Sequence, residues 1–205
     1  MGDRLHWIVL RGTLLLLSAG SVIAVPAQVW WAVRGSGVDW EGDVGYATDF
    51  SERMVQTRPH AYAAWDGHVT LVLDHAPRQV RLAAALPDIL LTIAIGFVAS
   101  VLLLVVLYVQ SGRSFAGRAA SGLRWSASVI AVAAVTVPLA HTWANGLVVD
   151  RALSSSSFTG PASPPGVIDA LPQIIVWLLV SLLVLAVSRA FGEGSRLSRD
   201  VEGLV

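Results

Sequence analysis

The sequence predicts an all-α membrane protein with four transmembrane helices, arranged as two hairpins, and a small extracytoplasmic segment that contains β structure. Three observations predict this class. Of the 205 residues, 55% are hydrophobic and only 14% are charged, far fewer charges than a soluble domain carries. The apolar residues gather in runs long enough to cross a hydrocarbon core of roughly 30 Å. The charged residues are sorted by segment, which indicates a topology.

The orientation of the chain is predicted by a polar stretch at residues 110–124, which contains Arg113, Arg118 and Arg124 between two apolar runs. Short loops rich in arginine stay on the cytoplasmic side of a membrane. We therefore expect an inner loop at 110–124, both termini in the cytoplasm, and a multi-pass protein of the plasma membrane.

The first helix is predicted at about residues 7–33. A cleaved signal peptide is the alternative, because Arg4 and Arg11 give a basic start and Val25-Pro-Ala27 resembles a small-residue cleavage site. The apolar run continues through Trp30 and Trp31, where an aromatic belt is expected at the membrane interface. The pattern therefore favours an uncleaved helix.

Residues 34–85 are predicted to form the outer segment, because seven acids and five arginines are too many charges for a bilayer. In the stretch from His68 to Asp74 apolar and polar residues alternate with period two, which predicts a strand and hence a small sheet.

The remaining helices are predicted at about 86–109, 125–149 and 168–187, with an outer loop at 150–167 and an inner tail at 188–205. Pro87 and Pro172 then fall in first helical turns, where no backbone donor is lost. Asp88 would meet the positive end of the second helix, and this role is favoured over proton transfer. The openings of the second and fourth helices, at 85–91 and 170–176, resemble each other. Two parallel hairpin repeats, or the common preference of proline for helix starts, explain this equally well.

Two groups of side chains are candidates for chemistry. His141 and Asn145 are four residues apart and share one helical face, so an intramembrane polar contact is expected, with a structural role favoured over substrate binding. The outer segment has histidines and aspartates of the type that bind zinc or copper, but their spacing matches no ligand motif, so solvated surface residues are favoured: His60, Asp66, His68, Asp74 and His75.

Enzyme signatures such as H-E-x-x-H, G-x-S-x-G and the P-loop do not occur in the sequence. With no cysteine, thiolate sites and disulfides are excluded. We therefore expect no enzyme, no catalytic residue, no cofactor, no metal site and no direct binding to nucleic acid. The predicted contacts are the lipid bilayer and, through the inner loop and tail, a cytosolic partner: Arg113, Phe115, Arg118, Phe191, Leu197, Asp200 and Glu202.

The tail from Phe191-Gly-Glu-Gly194 to Leu197-Ser-Arg-Asp200-Val-Glu-Gly-Leu-Val205 resembles the ending of a bacterial four-helix membrane family called domain of unknown function 2975. Gly112-Arg-Ser-Phe115 is similar to its inner-loop motif, and Trp65-Asp-Gly67 followed by a strand is similar to its outer segment. At Ser114 the family often has proline. The family has no assigned activity. The resemblance implies a cytosolic helix-turn-helix regulator as a partner, because members look as if they are often encoded beside one.

Three functional interpretations remain from the sequence. The least favoured is a membrane enzyme, which would require the histidines and aspartates of the outer segment to converge on a metal ion. The favoured one is a non-enzymatic sensory or regulatory module that responds to an outer signal or a bilayer change and acts through the inner loop and tail. The alternative is a small oligomeric transporter or channel, and a homo-oligomer is expected in that case. A transporter predicts a polar path at mid-membrane, yet the predicted helices carry no charged residue at their centres.

Overall fold

The structure is a computed structural model that describes residues 2–35, 37–42, 61–65, 69–74, 76–110, 117–153 and 170–202. Four long helices account for most of them. Helix α1 spans Gly2–Arg34, α2 spans Arg78–Gln110, α3 spans Gly117–Leu153 and α4 spans Leu171–Glu202. Three strands lie between α1 and α2 in the sequence: β1 (Gly37–Gly42), β2 (Ala61–Trp65) and β3 (Val69–Asp74).

Each of the four helices contains a segment long and apolar enough to cross a membrane. These segments are His6–Arg34, Arg78–Tyr108, Ala119–Val148 and Leu171–Gly194. Large apolar side chains lie on the outside of the helices, as Leu16 at 72% exposure and Leu183 at 65% exposure illustrate. In water such a surface would aggregate, whereas in a bilayer it meets lipid tails. The fold is therefore that of a multi-pass integral membrane protein.

The chain divides into two compact units, and each helix contributes to both. Unit 1 contains residues 1–25, 90–135 and 173–205. Within it, small side chains of α3 form much of the buried surface, among them Ala119, Ala120, Ala127 and Ala134. Alanine at these positions lets helix backbones approach closely.

Unit 2 contains residues 26–89 and 136–172, and it includes the three strands. They form one antiparallel sheet in the order β1-β3-β2. The pairing of β1 with β3 places Gly37 opposite Asp74, and the pairing of β2 with β3 places Trp65 opposite Val69. The alternating pattern that predicts a strand thus lies at β3, in the centre of the sheet.

Three helix boundaries differ by eight residues or more from those predicted. Helix α2 begins at Arg78 and not near residue 86, and the carbonyl of Pro77 accepts hydrogen bonds from the backbone of Val80 and Arg81 at 2.9 and 3.1 Å. Helix α3 begins at Gly117, so that Arg118 and Arg124 are helical, and α4 continues through the predicted tail to Glu202. In all three places the predicted helix ended where charged residues begin. A charged residue is excluded from the hydrocarbon, but it can still be part of a helix.

The predicted role of Asp88 is wrong for the same reason. Because α2 begins at Arg78, Asp88 is its eleventh residue, exposed in the helix interior, and no acidic residue lies in the first turn of α2. The unpaired N–H groups that favour a carboxylate are confined to the first turn. Pro87 is likewise inside α2, where it is fully buried. The prediction for Pro172 is confirmed, since it is the second residue of α4.

Candidate functional site

Helix α1 contacts its neighbours through a single narrow stripe. Its less exposed residues recur at alternating spacings of three and four, flanked by Ala24 and Val33, and the other side chains described between residues 6 and 34 are exposed. This spacing is typical of helices that pack side by side along their length. The stripe consists of seven residues, of which the first, third, fourth and sixth are polar: Arg11, Leu14, Ser18, Ser21, Val25, Gln28 and Ala32.

In unit 1, α1 and α2 are joined by serine hydroxyls. The Oγ atoms of Ser18 and Ser100 are 2.6 Å apart, and Ser100 Oγ donates to the carbonyl of Gly96 at 2.7 Å. Because a hydroxyl has one proton, Ser18 is the donor in the bond to Ser100. Ser21 Oγ donates to the carbonyl of Ser18 at 2.8 Å, within α1. All three hydroxyl protons therefore have acceptors within the α1–α2 pair.

Gly96 of α2 lies directly against Ser21 of α1. A Cβ atom built at Gly96 would be 2.5 Å from the Cβ of Ser21 and closer still to its hydroxyl. No side chain fits there unless the helices separate, so glycine sets the distance between α1 and α2 at this point.

The pair α3 and α4 is joined in unit 1 by two bonds of one kind. Ser181 Oγ donates to the carbonyl of Ala127 at 2.8 Å, and Ser188 Oγ donates to the carbonyl of Ala120 at 2.7 Å. As the residue number rises by seven on α4 it falls by seven on α3, so the two helices are antiparallel here. Both serines are buried, at 7% and 0% exposure, and their hydroxyls fix the register of the pair.

In unit 2, the guanidinium of Arg81 links the beginning of α2 to the end of α1. Its Nε donates to the carbonyl of Ala32 at 3.0 Å, its Nη2 to the carbonyl of Val33 at 2.9 Å, and its Nη1 to the carbonyl of Ala76 at 2.6 Å. The last carbonyls of a helix have no partner within it, and a cation there also meets the negative end of the helix dipole. Arg81 thus caps α1 from another helix. We call this arrangement the Arg81 clamp.

The end of α1 is completed by two further contacts. Gly35 donates its backbone N–H to the carbonyl of Trp31 at 2.6 Å, and the guanidinium of Arg34 stacks over the ring of Trp30 at 3.8 Å from the centroid. Trp30 and Trp31 are 56% and 73% exposed, as expected for tryptophan at a membrane interface.

Comparison of the chain with protein-family models, with curated proteins and with solved structures finds no match.

The predicted cytosolic contact residues fall in several places. Arg113 and Phe115 lie outside the described residues. Arg118 is in the first turn of α3, and Leu197, Asp200 and Glu202 are in the last turns of α4. For these four residues the structure describes the backbone and not the side chain. Phe191 is half-buried on α4. The contact of these residues with a cytosolic partner stays a prediction.

The predicted polar pair lies on α3 within unit 2. His141 is exposed, and Asn145, one turn later, is half-buried and has a bonded partner. The residue between them in the turn, Thr142, donates to the carbonyl of Pro138 at 3.1 Å. The expected intramembrane polar contact of His141 and Asn145 stays a prediction.

The metal hypothesis falls mainly on His60, Asp66, His68 and His75, which lie outside the described residues, and on Asp74, whose side chain is not described. Among the described residues, no group of three or more histidine, aspartate or glutamate side chains is placed to hold a metal ion.

The contacts that sequence reasoning missed are Arg81, Ser18 and the serines of α4. Ser181 and Ser188 are seven residues apart in an apolar helix, and this spacing is a signal that the sequence offers. For Arg81 the sequence offers no signal, because its three acceptors are backbone carbonyls.

The contact at Gly96 can be tested by the same substitution at two glycines. We expect Gly96→Ala to destabilise the α1–α2 pair by about 1–3 kcal/mol, because the new methyl group overlaps Ser21. Gly20→Ala is the control, since nothing lies within 4 Å of a Cβ at Gly20 and alanine favours a helix. The measurement is the unfolding free energy in mixed micelles. Ser21→Gly should restore part of the stability of Gly96→Ala, and equal effects of alanine at both glycines would contradict the close contact.

The Arg81 clamp can be tested against a neighbouring arginine. We expect Arg81→Gln to lower the unfolding free energy by about 2–3 kcal/mol, because buried carbonyls at the end of α1 lose charge-assisted bonds. Arg78→Gln removes the same charge from the exposed first residue of α2 and should change stability by less than about 0.5 kcal/mol. If the two variants unfold alike, the clamp does not stabilise the fold.

Proposed function

We propose that this chain is a non-enzymatic sensory or regulatory module of the plasma membrane. In this proposal both termini and residues 111–116 are cytoplasmic, and the segment between α1 and α2 is extracytoplasmic. The observation that carries the proposal is the way the sheet joins the first two helices: short connections and the Arg81 clamp make a mechanical link between an outer segment and the membrane-spanning helices.

The connections between sheet and helices are very short. Two residues separate Arg34 at the end of α1 from Gly37 at the start of β1, and three separate Asp74 at the end of β3 from Arg78 at the start of α2. Gly37 and Asp74 are paired partners in the sheet. The β1–β3 pair therefore continues directly into the α1–α2 pair, and connections this short leave little slack.

The Arg81 clamp joins the same two helix ends. It holds the carbonyls of Ala32 and Val33 on α1 and of Ala76 just before α2. A ligand or a bilayer change that displaces the sheet would therefore move α1 and α2 together. Such coupling requires a packed element with two discrete arrangements, and the paired helices supply that element in this proposal.

In this proposal, α4 transmits the conformational change to the cytosolic partner. This helix runs without interruption from Leu171 to Glu202, and it continues past the end of its apolar run near Val187. Leu197, Asp200 and Glu202 thus belong to the same rigid helix as Ser181 and Ser188, which bind α3. A rotation or tilt of α4 in the membrane would move these contact residues directly. The proposed partner is a cytosolic helix-turn-helix regulator.

The topology can be tested by labelling single cysteines, because the native chain has none. We expect a membrane-impermeant maleimide to label Ser51→Cys in intact cells, and to label Ser114→Cys and Ser198→Cys only after the membrane is opened. The inner positions are predicted from the arginines at 113 and 118 and at 196 and 199. Labelling of Ser114→Cys in intact cells would invert the topology and remove the proposed partner contact.

The partner contact can be tested at the end of α4. We expect Leu197→Ala combined with Asp200→Ala and Glu202→Ala to reduce crosslinking to a cytosolic protein at least tenfold, while membrane insertion and unfolding stay unchanged. Trp177→Ala, on an exposed face of the membrane-spanning segment, is the control and should leave the crosslink intact. Recovery of the same protein with the triple variant would rule out this contact. Solute flux through liposomes that is lost on His141→Ala would replace the proposal by transport.

A further inference from the structure

The three strands form a sheet with one apolar face. Successive residues of a strand lie on opposite faces, and residues paired across strands share a face. The register pairs Trp40 of β1 and Ala63 of β2 with Leu71 of β3, so these three residues lie on the same face. The same rule assigns to this face eight apolar residues and one glycine, and we call it the apolar face of the sheet: Val38, Trp40, Gly42, Ala61, Ala63, Trp65, Val69, Leu71 and Leu73.

The opposite face contains the acids of the sheet. Asp39 and Glu41 of β1 lie on it, together with Tyr62 of β2 and with Thr70 and Asp74 of β3. An antiparallel sheet commonly has one face in water and the other packed on an apolar surface. The acidic face is suited to water. The apolar face requires a cover, because leaving it in water costs free energy in proportion to its area.

The connection to α1 holds the sheet close to the membrane. Only two residues separate Arg34, the last residue of α1, from Gly37, the first of β1, and a fully extended chain spans about 11 Å between them. Trp30 and Trp31, near the end of α1, are 56% and 73% exposed, and tryptophan collects at the membrane–water interface. The apolar face begins at Val38, so it begins within reach of that interface.

The composition of the two faces favours lipid as the cover. Trp40 and Trp65 are on the apolar face, and a tryptophan ring has an apolar body and an N–H that binds water or headgroups. Amphipathic helices with such a composition lie in the plane of the membrane, with the apolar face about 5–10 Å into the boundary of headgroups and acyl chains. A sheet with one apolar face has the same chemistry. In this position Asp39 and Glu41 are on the water side.

We propose that the apolar face of the sheet lies in the lipid interface, against the headgroups and the first acyl carbons of the leaflet at the C-terminal end of α1. The sheet then lies flat on the membrane, and β1 continues the lipid-facing surface that ends at Trp30 and Trp31. The proposal requires only that the helices span a membrane. It does not depend on the regulatory function or on which side is cytoplasmic, so either proposal is able to fail without the other.

The test uses nitroxide spin labels on single cysteines, because the native chain has no cysteine. Oxygen is apolar and concentrates in lipid, whereas a nickel chelate stays in water, so the ratio of their collision rates with the label reports its surroundings. Strand β2 offers a matched set of alanines: Ala61→Cys and Ala63→Cys are on the apolar face, and Ala64→Cys is on the opposite face. Leu16→Cys, on the exposed surface of α1, is the lipid reference. The labelled full chain is measured in phosphatidylcholine nanodiscs.

We expect the oxygen-to-nickel ratio at Ala61→Cys and Ala63→Cys to exceed that at Ala64→Cys about threefold or more and to approach that at Leu16→Cys. Frequent nickel collisions at all three alanine positions would place the apolar face in water and overturn the proposal. A high ratio at Ala64→Cys as well would also overturn it, because lipid would then surround both faces.

Rare collisions with both reagents at Ala61→Cys and Ala63→Cys would overturn the proposal in favour of a protein cover. Dipolar broadening that disappears on dilution with unlabelled chain would then identify a second copy, and its absence would identify another part of the same chain. If one of the two variants on the apolar face does not fold, the other gives the same test, and Thr70→Cys replaces Ala64→Cys in the same way.

Discussion

The structure depends on one constraint: lipid tails are as apolar as leucine, so burying leucine against another helix gains little in a membrane. The helices are stabilised instead by the close approach of their backbones and by hydrogen bonds between polar groups, which have no water to bind in the hydrocarbon. The placement of side chains follows this rule. Leu16 and Leu183 face outward, while Ser188 and Ala127 are buried. The buried faces are the ones that let helices touch.

Serine hydroxyls bind backbone carbonyls along the helix faces, as capping groups bind them at the helix ends. Ser181 and Ser188 bind carbonyls of α3 that already belong to helical bonds, and a carbonyl oxygen has a second lone pair for this purpose. The bonds therefore add register without breaking either helix. At the end of α1 the carbonyls of Ala32 and Val33 have no such helical bond. There the structure uses Arg81, whose charge and several donors meet two helical carbonyls at once.

The number of membrane-spanning helices could be predicted from the sequence, because hydropathy over some twenty residues is a property of local composition. The helix ends could not be predicted in the same way. Arg81 and Arg124 lie outside the predicted apolar runs, and the helices include them because arginine is a good helix former. The reasoning that placed Asp88 in a first turn failed because it treated the end of the apolar run as the end of the helix.

The packing contacts show a second limit of sequence reasoning. The spacing of Gly96 and Ser100 is visible in the sequence. Small residues are common in membrane helices, however, and the spacing does not indicate which helix packs against them. The contact of Gly96 with Ser21 is set by the pairing of α1 with α2. Arg81 is harder still to find, since backbone carbonyls carry no sequence signature. Contacts of this kind are determined by the fold as a whole.

Two arginines are half-buried on the packed side of α1 and α2, and they differ in their hydrogen bonds. Arg81 has its three acceptors within the chain, so its charge is used in joining α1 to α2. Arg11 has a buried donor for which the described chain provides no acceptor. The same residue type thus joins two helices at one end of α1, whereas at the other end it leaves a buried N–H without a partner among the described residues, which costs free energy.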